Sequence, residues 1–176
     1  MGEKEESMAN AAMNYAIPLG LFWVFKYLFV ILGDYNDLGK YLNSLLTIGT
    51  PIVFYILLCK YRDVNLGGQI SYGKTILFSL LMFAFASFIE LAIISLHIFV
   101  INPAFLSLFR EQVLEIADKM NFGGQGYKEQ IRVLASNMGA YYISTWLLMN
   151  LFIGLFLSLI LGYFVSKPKS DQLKNN

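Results

Sequence analysis

The sequence contains 176 residues, of which 57% are hydrophobic and 14% are charged, and its mean hydropathy is +0.57. A soluble domain of this length has too little interior to bury so much apolar surface, so the composition excludes a disordered chain, a coiled coil and an ordinary soluble enzyme. The net charge of +1 argues against a nucleic-acid partner, which requires a strongly basic face. The single cysteine, Cys59, and the single histidine, His97, are too few for the usual zinc sites, and we expect neither a metal nor another cofactor.

Four windows of the sequence are long and apolar enough to cross a bilayer, which requires about 20 residues. Together they contain two charged residues, Lys26 and Glu90, whereas all the other charges lie between or beyond them. Their continuous hydrophobicity is typical of transmembrane helices rather than of the alternating strands of a β-barrel. We therefore predict an all-α integral membrane protein with one domain over residues 1–165, whose spans are residues 13–32, 42–59, 76–101 and 141–165.

The connections on either side of the second span are short. Asp34–Tyr41 predicts a turn, and Gly67-Gly68 predicts a break in the next loop. Ser71 is suited to cap the N-terminus of the third span. Within the second span, Gly49-Thr50-Pro51 has two interpretations: a broken helix, as in transporters, or a proline tolerated in a packed helix, which we favour.

The connection between the third and fourth spans is longer, and it predicts an amphipathic helix over about residues 103–121. Asn102 is suited to the N-cap and Pro103 to the first turn, and the run Gly123–Gly126 predicts where the helix ends. We expect this helix to lie on the outer membrane surface or to cap the bundle; a docking surface for a partner protein is the alternative. Its apolar residues recur every three or four positions, at Phe105, Phe109, Val113, Ile116 and Met120.

The distribution of Lys and Arg predicts the orientation of the chain. If the N-terminus lies inside, the inner segments carry seven basic residues in 39 positions and the outer segments carry five in 48. We therefore expect both termini in the cytoplasm, including the tail at residues 166–176. The amphipathic helix is then extracytoplasmic.

Polar residues within the spans are the first candidates for function, because burying a charge in the bilayer costs about 2.5–3.5 kcal/mol or more. Lys26 and Glu90 fall at depths that allow an ion pair between the first and third spans. We favour a structural cluster that fixes helix register, with a proton or ion path, or a Lys26 that extends alone to the interface, as alternatives. The predicted cluster consists of Lys26, Thr47, Thr50, Glu90, His97 and Asn150.

Small residues follow Asn150 at every fourth position of the fourth span, at Gly154, Ser158 and Gly162. This spacing places them on one stripe of the helix, where they allow another backbone to approach closely. We expect the stripe to pack within the bundle, with a dimer interface as the alternative.

Four short motifs lie near the ends of the spans: Lys60-Tyr61-Arg62-Asp63, Gly67-Gly68, Ile70-Ser71-Tyr72-Gly73 and Ile101-Asn102-Pro103-Ala104-Phe105. With these motifs the chain resembles a bacterial family of small four-span membrane proteins, domain of unknown function 4199. The resemblance covers nearly the whole chain and implies an α-helical protein of the bacterial inner membrane. It implies no activity and supplies no catalytic residue.

The sequence favours a protein that is not an enzyme. The metalloprotease pattern His-Glu-x-x-His, the Gly-x-Ser-x-Gly elbow and the Cys-x-x-Cys pair are all missing. We expect an accessory or assembly protein that contacts the lipid bilayer and acts with a membrane-protein partner or as a homo-oligomer. The alternative is a small ion- or proton-coupled transporter or channel that uses Glu90 and Lys26, and a lipid-handling enzyme comes third.

Overall fold

The computed structural model describes residues 7–119 and 124–167, and all the secondary-structure elements in these ranges are helices. The predicted positions Met120 and Gly123, and the tail from residue 168 onward, lie outside the described residues. The helices are α1 (Met8–Gly33), α2 (Asp37–Thr47), α3 (Gly49–Asn65), α4 (Tyr72–Leu96), a π-helix (His97–Ile101), α5 (Ala104–Lys119), α6 (Gly124–Ser136) and α7 (Met138–Val165).

Within the described residues, four helical segments are long and apolar enough to cross a membrane. They are Met8–Gly33, Asp37–Asn65, Tyr72–Ile101 and Met138–Val165. The predicted class, an all-α multi-pass membrane protein, is therefore confirmed. Each segment extends beyond its hydropathy window, because a helix continues through polar residues until a cap ends it.

The turns between helices use the polar caps that their sequences offer. The first turn is shorter than predicted, because Asn36 accepts a hydrogen bond from the Leu38 N–H at 2.9 Å and α2 begins at Asp37. Ser71 caps α4 as predicted, since its hydroxyl accepts from the Lys74 N–H at 3.4 Å. Gly67 and Gly68 have φ angles of 64° and 91°, a conformation that other residues rarely adopt.

Ile48 lies between α2 and α3 but keeps α-helical dihedral angles, φ −64° and ψ −23°. The segment Asp37–Asn65 is long and apolar enough to cross the membrane as one span, which agrees with the favoured interpretation of a tolerated proline. Pro51 has no N–H to donate to the Thr47 carbonyl, which removes the hydrogen bond that would join the two helices. Gly49 lies against α1, where an added Cβ would come within 2.7 Å of Phe22 Cζ.

The helices form two compact units, residues 1–90 with 149–176 and residues 91–148, and each is described by itself. The prediction of a single domain stays a prediction. The core of the first unit centres on aromatic rings from α1, α3 and α4. The Phe83 ring has edge-to-face contacts with Trp23 at 5.2 Å and Phe54 at 5.3 Å between centroids, and Tyr61 stacks on Phe78 at 3.6 Å.

The second unit contains the π-helix, α5 and α6. The predicted amphipathic helix corresponds to α5, which begins at Ala104 rather than 103. Tyr142 of α7 packs edge-to-face on Phe105 and Phe109, at 5.4 and 5.2 Å, so the predicted apolar positions at the start of α5 face α7. Gly124–Gly126 belongs to the first turn of α6 instead of ending α5, because glycine is tolerated in a terminal turn.

Candidate functional site

The centre of the polar cluster is a contact between Glu90 of α4 and Asn150 of α7. Glu90 is 1% exposed, and the Asn150 Nδ2 donates to its Oε2 at 2.8 Å. Lys26 of α1 is half-buried, and its charge interacts electrostatically with Glu90. Two of the predicted residues, Glu90 and Asn150, are thus in direct contact, whereas the ion pair expected between Lys26 and Glu90 is not among the ion-pair contacts of 4 Å or less in the described residues.

Thr50 forms a second polar contact at another place in the first unit. The Trp23 Nε1 of α1 donates to the Thr50 Oγ1 of α3 at 3.3 Å, and both residues are buried. Trp23 was not among the predicted residues of the cluster. An indole N–H in an apolar span needs a hydrogen-bond acceptor, and this requirement could have identified Trp23 from the sequence. The contact joins α1 to the first turn of α3.

Thr47 lies outside this arrangement. Its side chain is exposed, and its hydroxyl donates to the Asn43 carbonyl of its own helix at 2.9 Å. A threonine that bonds to its own helix contributes no contact between helices. Thr47 is the last residue of α2 and is exposed, whereas Thr50 lies in the first turn of α3 and is buried, so the two threonines that share one predicted span have different surroundings.

His97 belongs to the second unit. It is buried as the first residue of the π-helix, and its ring lies 5.3 Å from that of Phe105. Its carbonyl accepts from the Asn102 N–H at 2.8 Å, which closes the end of the π-helix. π-Helices are rare and occur often at functional sites, so the neighbourhood of His97 is a second place of interest.

The small-residue stripe of α7 lies against α4 within the first unit. A Cβ on Gly154 would come within 2.5 Å of Phe83 Cγ, and one on Gly162 within 2.9 Å of Thr75 Cγ2. Ser158, between them, is buried and donates to the Leu155 carbonyl at 2.7 Å. With Asn150 on the same stripe, this face of α7 is occupied by contacts inside one chain.

A buried arginine at the end of α3 is the polar residue that the predicted cluster left out. Arg62 is 4% exposed; its Nε and Nη2 donate to the two carboxylate oxygens of Asp63 at 2.7 and 3.2 Å. Its Nη1 donates to the Val165 carbonyl at 3.1 Å, at the C-terminus of α7. A cation stabilises the carbonyls that end a helix, so Arg62 ties α3 to α7. The Tyr61-Arg62-Asp63 motif was the signal in the sequence.

The loop that follows Arg62 also has the spacing of a phosphate-binding loop, Gly-x-x-x-x-Gly-Lys-Thr, at Gly68–Thr75. This match was overlooked in the prediction that the protein is not an enzyme. Such loops hold nucleotides between a strand and a helix, whereas here the preceding element is α3. The hydroxyl of Thr75, which would bind Mg²⁺, is buried and donates to the Ser71 carbonyl at 3.0 Å. The motif therefore forms the start of α4 rather than a nucleotide site.

Two further observations bear on what these sites can hold. An open pocket of about 320 Å³ beside the loop is lined by Gln69, Ile70, Ser71, Lys74 and Ser166. No group of three or more His, Cys, Asp or Glu that could bind a metal ion occurs in residues 7–119 and 124–167.

A family model described as a protein of unknown function, DUF4199, matches residues 14–167. This match confirms the family that the motifs predicted. No curated protein and no solved structure matches the chain. The matched region includes both the contacts of Glu90 and those of Arg62.

Proposed function

Because the chain belongs to the DUF4199 family of proteins of unknown function, we propose a role for it from its own geometry. The role is that of a non-enzymatic accessory or assembly protein of the bacterial inner membrane. It acts with a membrane-protein partner or as a homo-oligomer, and it has both termini in the cytoplasm.

The observation that supports this proposal is the use of the intramembrane polar groups in packing. Asn150 donates to Glu90, and Trp23 donates to Thr50. Hydrogen bonds between spans hold helices in register, at about 0.6 kcal/mol on average. Aromatic rings fill the neighbouring core, which is the arrangement of a rigid scaffold.

The second candidate is an ion- or proton-coupled transporter or channel. The observation in its favour is that Glu90, a carboxylate 1% exposed in an apolar helix, shares its site with the charge of Lys26. Intramembrane carboxylates build proton relays in pumps and transporters.

A flux assay in proteoliposomes separates the two candidates. For an accessory protein, vesicles containing the wild-type chain leak protons, Na⁺ and K⁺ no faster than empty vesicles, and Glu90→Gln changes nothing. Proton or ion flux that Glu90→Gln abolishes, while the matched variant Glu111→Gln on the exposed face of α5 retains it, establishes the transporter and refutes the accessory role.

Photocrosslinking in native membranes tests the partner. A benzophenone amino acid is placed at Phe88 of α4 or Phe156 of α7, whose side chains are 61% and 63% exposed. An accessory or assembly protein gives a product of one discrete mass at one of these faces, either with a second protein or with another copy of the chain. Lipid adducts alone at both positions contradict the proposal.

Reporter fusions test the orientation. A fluorescent protein that matures only in the cytoplasm is fused to either end of the chain, and alkaline phosphatase, which is active only outside, is inserted after Lys119. Fluorescence from both ends together with phosphatase activity is expected from the distribution of Lys and Arg. Ends in opposite compartments contradict it.

A further inference from the structure

A cleft between α5 and α6, within the second unit, combines basic and apolar side chains. Its volume is about 390 Å³, and its lining consists of Arg110, Leu114, Ala117, Asp118, Ile131 and Arg132. Proteins hold small ligands in cavities of about 300–1,000 Å³. The cleft is therefore large enough for a polar headgroup and the beginning of a hydrocarbon chain.

The two arginines supply the polar part of the cleft. Arg132 has an ion-pair contact of 3.8 Å with Glu129, whereas no carboxylate in residues 7–119 and 124–167 forms an ion pair with Arg110. A guanidinium group is planar and presents paired donors that match the oxygens of a phosphate or carboxylate. Both arginines line the same cavity, so two guanidinium groups border the space that a ligand would fill.

The remaining lining residues define the rest of the ligand. Leu114, Ala117 and Ile131 give the cleft an apolar side, which suits a hydrocarbon chain. Asp118 also lines the cleft, and its carboxylate disfavours a highly charged anion such as inorganic phosphate more than a phosphodiester, which carries a single negative charge. The preferred ligand is thus an amphiphile with a phosphodiester group.

The position of the cleft in the chain identifies where this amphiphile comes from. Only Asn102 and Pro103 separate α5 from a membrane span, and only Asn137 separates α6 from the next. Leu108, Ile116 and Val133 are exposed on the same two helices, where they can contact lipid. Membrane phospholipid is the abundant phosphodiester amphiphile at such a place.

We propose that the α5–α6 cleft binds a membrane phospholipid. Arg110 and Arg132 donate hydrogen bonds to the phosphodiester oxygens, and Leu114 and Ile131 contact the adjoining acyl chain. This site is separate from the intramembrane contacts of Glu90, and it gives the amphipathic helix a specific ligand in place of a general affinity for the membrane surface.

Native mass spectrometry of the full chain in detergent, titrated with phosphatidylglycerol, tests the proposal. The wild-type chain is expected to retain one lipid molecule. Loss of one charge-assisted contact weakens binding about tenfold in Arg110→Gln and about a hundredfold in the double variant with Arg132→Gln. Lys119→Gln, which removes a charge from α5 outside the cleft, is the matched control and keeps wild-type affinity.

Two ligands separate the parts of the site. Glycerophosphoglycerol has the same headgroup without chains, and diacylglycerol has the chains without phosphate; both are expected to bind far more weakly than the lipid. Equal affinity for glycerophosphoglycerol overturns the lipid assignment, equal affinity for diacylglycerol overturns the role of the arginines, and equal lipid binding by the double variant overturns the site. If circular dichroism shows that a Gln variant has lost helix, Arg110→Lys replaces it, and unchanged binding by that variant contradicts the paired contact.

Discussion

Substitution of Gly154 by alanine tests the close packing of α7 on α4. The added Cβ would lie 2.5 Å from Cγ of Phe83, far inside van der Waals contact. Phe83 is 0% exposed and is held between the rings of Trp23 and Phe54, so it has little room to retreat. The extra methyl group must therefore strain the core of the first unit.

The expected magnitude combines two opposing effects. Overpacking a filled core costs about 1–3 kcal/mol, whereas replacing glycine by alanine in a helix gains up to about 1 kcal/mol. We expect Gly154→Ala to lower the free energy of unfolding by up to about 2 kcal/mol. Gly73→Ala is the matched control, because its added Cβ would meet nothing within 4 Å apart from its chain neighbours and the backbone of its own helix, and only the gain applies.

Reversible unfolding by SDS in mixed micelles measures these free energies, and the fluorescence of Trp23 reports on the affected core. In a Phe83→Ala background, which removes Cγ and Cδ1, the clash is relieved, so the penalty of Gly154→Ala shrinks by about 1 kcal/mol or more. A Gly154→Ala chain as stable as Gly73→Ala, or a penalty that is unchanged beside Phe83→Ala, refutes the packing of α7 on α4 through this glycine.

Three further substitutions probe other contacts. Arg62→Lys keeps the charge but loses the paired contact with Asp63, so thermal unfolding in detergent should show that the free energy of unfolding falls by about 1–3 kcal/mol. The control is Lys60→Met at an exposed position, and the same loss in that variant would contradict the prediction. Asn150→Leu should lower the free energy of unfolding in SDS by about 0.6–1.7 kcal/mol, and an unchanged free energy disproves the contact with Glu90. Gly39→Ala places a methyl group against the backbone of α1, so limited proteolysis of the turn should become faster, and an unchanged rate contradicts this close approach.

Some features of the candidate site were predictable from residue type and depth alone. A carboxylate and an amide in different apolar spans are expected to meet, because each lacks water and needs a partner. Glu90 and Asn150 do so. The partner of Thr50 was not predictable in this way, since several polar groups fall at similar depth and the rotation of each helix decides which of them meet.

The packing of Gly49 and the burial of Arg62 show what sequence patterns leave open. Hydropathy over residues 42–59 does not reveal which neighbour Gly49 meets, and in the structure it lies against Phe22 of α1. From the sequence alone, Arg62 would be interpreted as a solvated charge in a loop. Only the tertiary structure shows that the C-terminus of α7 lies beside it and accepts its hydrogen bond.

The amino-acid sequence by itself determined that the apolar segments lie in lipid rather than in water, how many spans there are and that the spans are helices. These properties follow from each segment alone, because a stretch of backbone in hydrocarbon must satisfy its own hydrogen bonds as a helix. The tertiary structure decided which face of each helix meets which neighbour, and so which polar groups share a site. The reason is that packing depends on residues far apart in the chain: the Arg62–Val165 contact spans 103 positions, and no local pattern carries that information.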